Sequence, residues 1–135
     1  MKKLLVICIL VFVVGCTGYN IDQAVKKYKQ QAPKVQIGDT KNHVLSILEP
    51  TQVNLGPNQN KTPEQFTKDN KTVEIYYFRS LRQPDGLTTD DEFTPYVFHD
   101  GTLVAIGWFY LGGPKTQGKA RNITNVTVRQ TGYGY

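Results

Sequence analysis

The tightest local constraint on the fold is a pair of apolar runs joined by Asp100-Gly101. Residues 93–98 and 103–109 are rich in aromatic and aliphatic side chains, and each run is long enough to form a strand. An Asp-Gly connection favours a type I′ turn, because both central residues of that turn need a positive φ. The sequence therefore predicts an antiparallel hairpin here.

A third strand is predicted over residues 73–78, where one set of side chains alternates with another: Val73, Ile75 and Tyr77 against Glu74, Tyr76 and Phe78. Residues 51–71 and 81–92 are polar, which is typical of loops, and the second contains the turn sequence Pro84-Asp85-Gly86. Phe66, the only aromatic residue of the first loop, is expected to pin that loop to the core.

Two short helices are predicted before the strands. The first has its apolar residues at helical spacing, with Asn20 as its cap and Pro33 at its end: Ile21, Ala24, Val25 and Tyr28. The second follows Gly38, with Asp39 or Thr40 as its cap and Pro50 as its stop: Val44, Leu45, Ile47 and Leu48. Gly38 is expected to adopt a backbone conformation that other residues resist.

This order predicts an α+β domain in which two short N-terminal helices pack on a three-stranded antiparallel sheet. The expected core consists of Val25, Tyr28, Val44, Ile47, Leu48, Ile75, Tyr77, Val97, Leu103 and Ile106. From residue 111 onward Gly, Pro, Lys and Thr dominate, so residues 111–135 are expected to be a flexible tail in which residues 123–128 have the pattern of a marginal edge strand.

The N-terminus has the pattern of an export signal. Two lysines precede an uncharged apolar run at residues 4–14, which is shorter than the roughly 20 residues that a membrane-spanning helix needs. The junction Val13-Val14-Gly15-Cys16 resembles the lipobox of bacterial lipoproteins. This resemblance implies cleavage after Gly15 and acylation of Cys16, and stable anchoring takes two or more acyl chains. A plain signal peptide with an accidental cysteine is the alternative.

The net charge and the cysteine count exclude some classes of protein and of covalent cross-link. Removing residues 1–15 takes two lysines, so the net side-chain charge falls from +5 to +3, which is too mild and dispersed for a nucleic-acid-binding protein. The lysines of residues 26–34 are interpreted as a solvated helix face, with attraction to anionic lipid headgroups as the alternative. Cys8 leaves with the signal and Cys16 carries lipid, so no disulfide is expected.

No catalytic set is predicted, so we expect a protein that is not an enzyme and needs no metal or cofactor. Ser46 and Ser80 lack the glycine context of a nucleophile elbow, and His43 and His99 are interpreted as surface residues. The acidic run 90–92 lacks the ligand spacing of a calcium loop and is interpreted as a solvated loop.

Four segments in order resemble the BamE/SmpA/OmlA family of outer-membrane lipoproteins. They are Ile37-Gly38-Asp39-Thr40-Lys41-Asn42-His43-Val44, Leu48-Glu49-Pro50, Ile75-Tyr76-Tyr77-Phe78-Arg79 and Phe98-His99-Asp100-Gly101-Thr102-Leu103-Val104. The similarity spans residues 34–109 in addition to the lipidated start. Glu49 departs from the family pattern, because it stands near the position of a helix-ending glycine, and the 51–71 loop is longer than usual.

The resemblance implies a BamE/OmlA-like domain at 21–110, a signal peptide at 1–15 and a lipidated tether at 16–20. It implies a non-catalytic scaffold or accessory factor in outer-membrane protein assembly or envelope integrity, anchored by lipid on the periplasmic face of the outer membrane. Thr17 supports that sorting, since lipoproteins kept on the inner membrane often carry Asp there. Envelope proteins, including barrel-assembly components, are the implied partners. The alternative is a stand-alone envelope-stress or protein-inhibitor-type lipoprotein.

A partner-binding face is predicted on the side of the sheet away from the helices. Alternation cannot send both aromatic sets of residues 73–78 toward the helices, and aromatic residues are enriched in binding hot spots. Tyr76, Phe78 and Trp108, with the 81–92 loop, are the predicted members of this face. The alternative is that the 51–71 loop or the C-terminal tail covers these rings.

Overall fold

The computed structural model describes residues 18–117, so the predicted signal peptide, Cys16 and residues 118–135 lie outside the described residues. Helix α1 includes residues 18–31, and helix α2 is Lys41–Leu48. The strands are β1 (Glu64–Lys68), β2 (Lys71–Arg79), β3 (Phe93–His99) and β4 (Thr102–Ile106). They form one antiparallel sheet in chain order, β1-β2-β3-β4. The predicted α+β class is confirmed, but the sheet has four strands rather than three.

Strand β1 lies where the sequence predicts a polar loop. All five of its residues are exposed, so it lacks the apolar alternation by which a half-buried strand is found. Its backbone pairs with β2 across a two-residue turn, Asp69-Asn70, whose φ angles are 52° and 59°. Phe66 is 44% exposed, so the expectation that it pins a loop to the core is wrong.

The predicted hairpin at Asp100-Gly101 is confirmed. Both residues have a positive φ, 48° and 81°, as a type I′ turn requires. The second strand is shorter than predicted, because the chain leaves the sheet at Gly107, where φ is 94°. Beyond it, Phe109–Leu111 form a 3₁₀ turn instead of continuing the strand.

The start of α1 differs from the prediction, whereas the start of α2 agrees with it. Residues 18–20 are already helical, so the predicted tether at 16–20 is too long and Asn20 lies within α1 rather than capping it. Thr40 caps α2 by accepting a hydrogen bond from the His43 N–H at 3.3 Å. Gly38 has a φ of +96°, which confirms its predicted conformation. No helix within residues 18–117 has the length and apolarity needed to cross a membrane.

The core has two layers, one on each face of the sheet. The layer between sheet and helices contains Tyr28, Val35, Val44, Leu48, Phe78, Tyr96, Phe98 and Leu103. The outer layer contains Val73, Ile75 and Val97, with Tyr77, Val104, Ala105 and Leu111 packed against them. Six of the predicted core residues are buried: Tyr28, Val44, Leu48, Ile75, Val97 and Leu103. Val25, Ile47 and Tyr77 are half-buried, and Ile106 is exposed, so its assignment to the core is wrong.

Candidate binding groove on the outer face of the sheet

The three predicted partner-binding residues do not all lie on one face. Phe78 is only 3% exposed and meets the Tyr96 ring edge-on, with ring centroids 5.3 Å apart. Tyr76 is half-buried on the same side, against Phe98. Trp108 lies on the opposite side, stacked on Tyr77 at 5.7 Å. The expectation of one exposed Tyr76, Phe78 and Trp108 face is therefore wrong, because alternation reveals two faces of a strand but not which face the helices cover.

The outer face carries a groove of about 240 Å³. Ile75 lies at its floor, and aromatic and aliphatic side chains line it: Phe66, Tyr77, Trp108 and Leu111. Its polar residues are Lys61, Glu64, Asp90 and Lys115. An apolar interior with a few polar groups around it is the usual composition of a binding cleft.

Hydrogen bonds fix the orientation of both large rings in the groove. The Trp108 Nε1–H donates to the Phe93 carbonyl at 2.7 Å, and the Tyr77 hydroxyl donates to Glu64 Oε1 at 2.8 Å. Burial, followed by the hydrogen bond to Glu64, raises the pKa of Tyr77 well above its ordinary value. Lys61 Nζ lies 4.7 Å from the centre of the Tyr77 ring. The groove is thus held in shape before anything binds.

One rim of the groove is built around Asp90. Its carboxylate pairs with Lys61 Nζ at 2.9 Å and accepts from the N–H groups of Lys115 and Thr116 at 3.2 and 3.3 Å. Burial raises the pKa of Asp90, but the hydrogen bond and charge of Lys61, with the two backbone N–H groups, outweigh it and leave the pKa below its ordinary value. The domain's contacts therefore continue through Thr116, beyond the predicted limit at residue 110.

The neighbouring Glu92 is buried rather than solvated, which overturns the prediction for residues 90–92. It is 0% exposed and pairs with Arg79, which is 1% exposed, at 2.5 Å. Arg79 Nη1 also donates to the Gln59 carbonyl at 3.1 Å, whereas its buried Nε finds no hydrogen-bond partner within residues 18–117. This ion pair anchors the 80–92 connection to β2.

Beside the groove, the 3₁₀ turn presents two exposed aromatic side chains that sequence reasoning missed. Phe109 is 97% exposed and Tyr110 is 54% exposed. The Tyr110 hydroxyl lies 3.1 Å from His99 Nε2, which ties the turn to the end of β3. Gly107 before the turn and Gly112-Gly113 after it were the available signal that the strand had ended.

A family model described as a protein of unknown function, DUF3192, matches residues 17–110. The chain belongs to the DUF3192 family. The matched segment contains all four strands, together with Trp108, Phe109 and Tyr110, and stops before Leu111. No curated protein and no solved structure matches the chain significantly.

The candidate catalytic groups of this DUF3192 domain are engaged in local contacts. Ser46 Oγ donates to the His43 carbonyl, Ser80 Oγ accepts from the Thr94 hydroxyl, and the His99 ring contacts Tyr110. Within the described part of the chain, no three His, Cys, Asp or Glu side chains converge as metal ligands would. The arrangement on the outer face is suited to recognition through aromatic contact and shape.

Proposed function

We propose that this protein is a lipid-anchored, non-catalytic binding protein of the outer membrane, facing the periplasm. The observation that carries the proposal is the outer-face groove flanked by Phe109, which is 97% exposed. An almost fully exposed phenylalanine beside a preformed aromatic groove is an apolar surface that a bound partner would remove from water. Exposed apolar patches mark interaction sites, and aromatic side chains dominate interface hot spots.

The membrane anchor in this proposal is Cys16, for which the Val13-Val14-Gly15-Cys16 junction is the support. Residue 18 is already helical, two positions later, so the lipid would hold the folded domain close to the bilayer. Arg82, just beyond the end of β2, pairs with Asp22 of α1 at 2.7 Å. This contact holds α1, the helix that follows the proposed anchor, near the C-terminal end of β2.

The exposed turn runs along the outer face of the sheet. Trp108 donates to the Phe93 carbonyl, and Phe93 pairs with Arg79 at the end of β2. Tyr110 contacts His99, which pairs with Val73 near the start of the same strand. The support for a protein partner is therefore the exposure of Phe109 beside the groove.

The class of partner is suggested by the resemblance to the BamE/SmpA/OmlA family. Helices packed on an antiparallel sheet behind a lipobox cysteine support it, while the additional strand β1 is a departure. We infer that the partners are envelope proteins and that barrel-assembly components are the first to test.

The anchor is tested with the Cys16→Ser variant. Metabolic labelling with a palmitate analogue should label the wild type and leave the variant unlabelled. The variant should also remain uncut, because cleavage after Gly15 depends on the lipidated Cys16. Equal labelling of the two proteins would contradict the proposal.

The binding face is tested by affinity purification from solubilised membranes. The double variant Phe109→Ala/Tyr110→Ala should lose copurifying envelope proteins while its melting temperature stays that of the wild type, because both side chains are exposed. Tyr19→Ala is the matched control, since Tyr19 is also exposed but lies in α1. An eluate that the double variant leaves unchanged, or a wild type recovered alone, would contradict the proposed role.

A further inference from the structure

The sheet has one open edge among residues 18–117. There, β1 pairs with β2 on one side only, and all five of its residues are exposed. The opposite edge, β4, is covered: Gly38 N–H donates to the Leu103 carbonyl at 2.8 Å, and Leu103 N–H donates to the Asp39 carbonyl at 2.9 Å. An uncovered edge strand is a template for pairing with another strand.

The backbone groups that face the open edge belong to Gln65 and Thr67. Thr67 lies opposite Thr72, whose N–H donates to Asp100 Oδ1 and whose carbonyl accepts from the Asp100 N–H, both at 2.9 Å. Thr72 is thus bonded on the side away from β1, so it forms a non-hydrogen-bonded pair with Thr67. Because the two kinds of pair alternate along antiparallel strands, Gln65 and Thr67 direct their N–H and C=O groups outward.

The sequence of β1 is complementary to an antiparallel copy of itself. In order, its residues are Glu64, Gln65, Phe66, Thr67 and Lys68. When Phe66 lies opposite the second copy's Phe66, Glu64 lies opposite the second copy's Lys68, and the reverse holds at the other end. In the same register Gln65 lies opposite the second copy's Thr67. The outward backbone groups of the two strands therefore meet and can exchange hydrogen bonds.

The charges of β1 also match this arrangement. Glu64 and Phe66 line the outer-face groove, and alternate residues share a face, so Lys68 lies on that face too. Within one copy Lys68 lies opposite Lys71, and like charges in this position destabilise a strand pair, whereas opposite charges stabilise it. A second copy brings a carboxylate beside each Lys68. Glu64 can accept from this ammonium and from the Tyr77 hydroxyl together, because a carboxylate has two oxygens.

The backbone direction, the charges and the exposed Phe66 ring all select the same register. We propose that the open edge of β1 binds β1 of a second copy of this chain, antiparallel and with Phe66 opposite Phe66, so that two four-stranded sheets become one. The two-fold axis is roughly perpendicular to the sheet, which puts both outer-face grooves on one side and both helical layers on the other. Pro63 has no N–H to donate, so the pairing is limited to β1. The dimer depends on neither the lipid anchor nor the proposed partner.

Sedimentation of the full-length protein in detergent tests the proposal. The wild type should show a monomer–dimer equilibrium that shifts toward the dimer as the protein concentration rises. Lys68→Glu puts two carboxylates opposite each other at both ends of the interface and should weaken the dimer at least about tenfold. Glu64→Lys/Lys68→Glu makes the facing charges opposite again and should restore the dimer. Lys26→Glu makes the same charge change at an exposed position of α1 and should leave the equilibrium as in the wild type.

Oxidation of variants with one added cysteine tests the register, and it separates a specific dimer from two molecules that share a detergent micelle. Phe66→Cys places two thiols opposite each other at the two-fold axis, where the Cα separation of about 4.5 Å suits a disulfide, so a covalent dimer should form. Glu64→Cys is the matched control on the same strand and face. Its two thiols would be about 13 Å apart along the strands, so it should not cross-link. The wild type gives the baseline for any disulfide through Cys16.

A wild type that stays monomeric at every concentration would overturn the proposal, as would a dimer that Lys68→Glu leaves intact. A double variant that stays as weak as Lys68→Glu would also overturn it, because the facing charges would then not be the ones assigned. Equal cross-linking of Phe66→Cys and Glu64→Cys would overturn the register and with it the proposed interface.

Discussion

The buried ion pair between Arg79 and Glu92 gives the sharpest prediction, for the variant Glu92→Gln. The Glu92 carboxylate accepts from Arg79 Nη2 at 2.5 Å and from the N–H groups of Gln83 and Thr89 at 3.0 Å. Glutamine keeps the size of the side chain but removes its charge and replaces one acceptor oxygen with a donor. Arg79 is then left buried and uncompensated, beside donors that have lost their acceptor.

The cost follows from the burial of both partners. Removing one charge of a buried, hydrogen-bonded pair costs about 3–5 kcal/mol. Small domains have a free energy of unfolding of about 5–15 kcal/mol, so this is a large share of the total. With about 4–8 °C lost per kcal/mol in a domain of this size, the melting temperature should fall by at least about 12 °C.

Thermal unfolding followed by circular dichroism at pH 7 measures this effect. Asp22→Asn is the control, because it also removes one carboxylate charge but breaks the exposed pair with Arg82, which is worth about 1 kcal/mol or less. If Glu92→Gln shifted the melting temperature no more than Asp22→Asn does, the reasoning from burial would be refuted.

Three further predictions follow from the same structure. Phe78→Ala should destabilise the domain by about 3–5 kcal/mol in urea unfolding, whereas Phe109→Ala should stay within about 0.5 kcal/mol, because only the first ring is buried. Gly38→Val should lower the free energy of unfolding by about 1–3 kcal/mol, because φ at this position is +96°. Gly56→Ala, at a φ of −73°, should leave the free energy of unfolding nearly unchanged. Equal melting temperatures for the two variants would contradict this. The pKa of Asp90 in the folded domain lies below its ordinary value of 3.8. The ionised carboxylate therefore stabilises the folded domain fully above about pH 4, and this stabilisation is lost as the pH falls through the folded pKa. Lys61→Met should reduce this loss in unfolding measured from pH 2 to 6, and an unchanged acid profile would show that Lys61 does not lower the pKa.

The features that could be predicted from the sequence depend on local chemistry. Asp100-Gly101 specifies its turn through the φ angles that it tolerates, and Thr40 caps α2 through its own hydroxyl. Gly38 is recognisable because a turn into a helix often needs a positive φ. None of these features requires knowledge of what packs against it.

The features that were missed depend on tertiary contacts. Strand β1 is stabilised by backbone pairing with β2, and its exposed side chains give no signal in a hydrophobic pattern. Glu92 is polar and looks solvated in sequence, yet Arg79 from another strand allows its burial. The prediction that Tyr77 rather than Phe78 faces the helices was wrong for the same reason, since alternation is symmetric until a helix covers one face.

The chain-order sheet also has a consequence for folding kinetics. Two-residue turns close β1 on β2 and β3 on β4, and hairpins of this kind form in about 1–10 μs. Only the β2–β3 pairing must wait for a longer loop, residues 80–92, to close. Glu92 ends that loop, and its partner Arg79 precedes it, so their contact fixes the register in which two preformed hairpins dock. The buried Arg79–Glu92 ion pair would then set the strand register in the slowest pairing step.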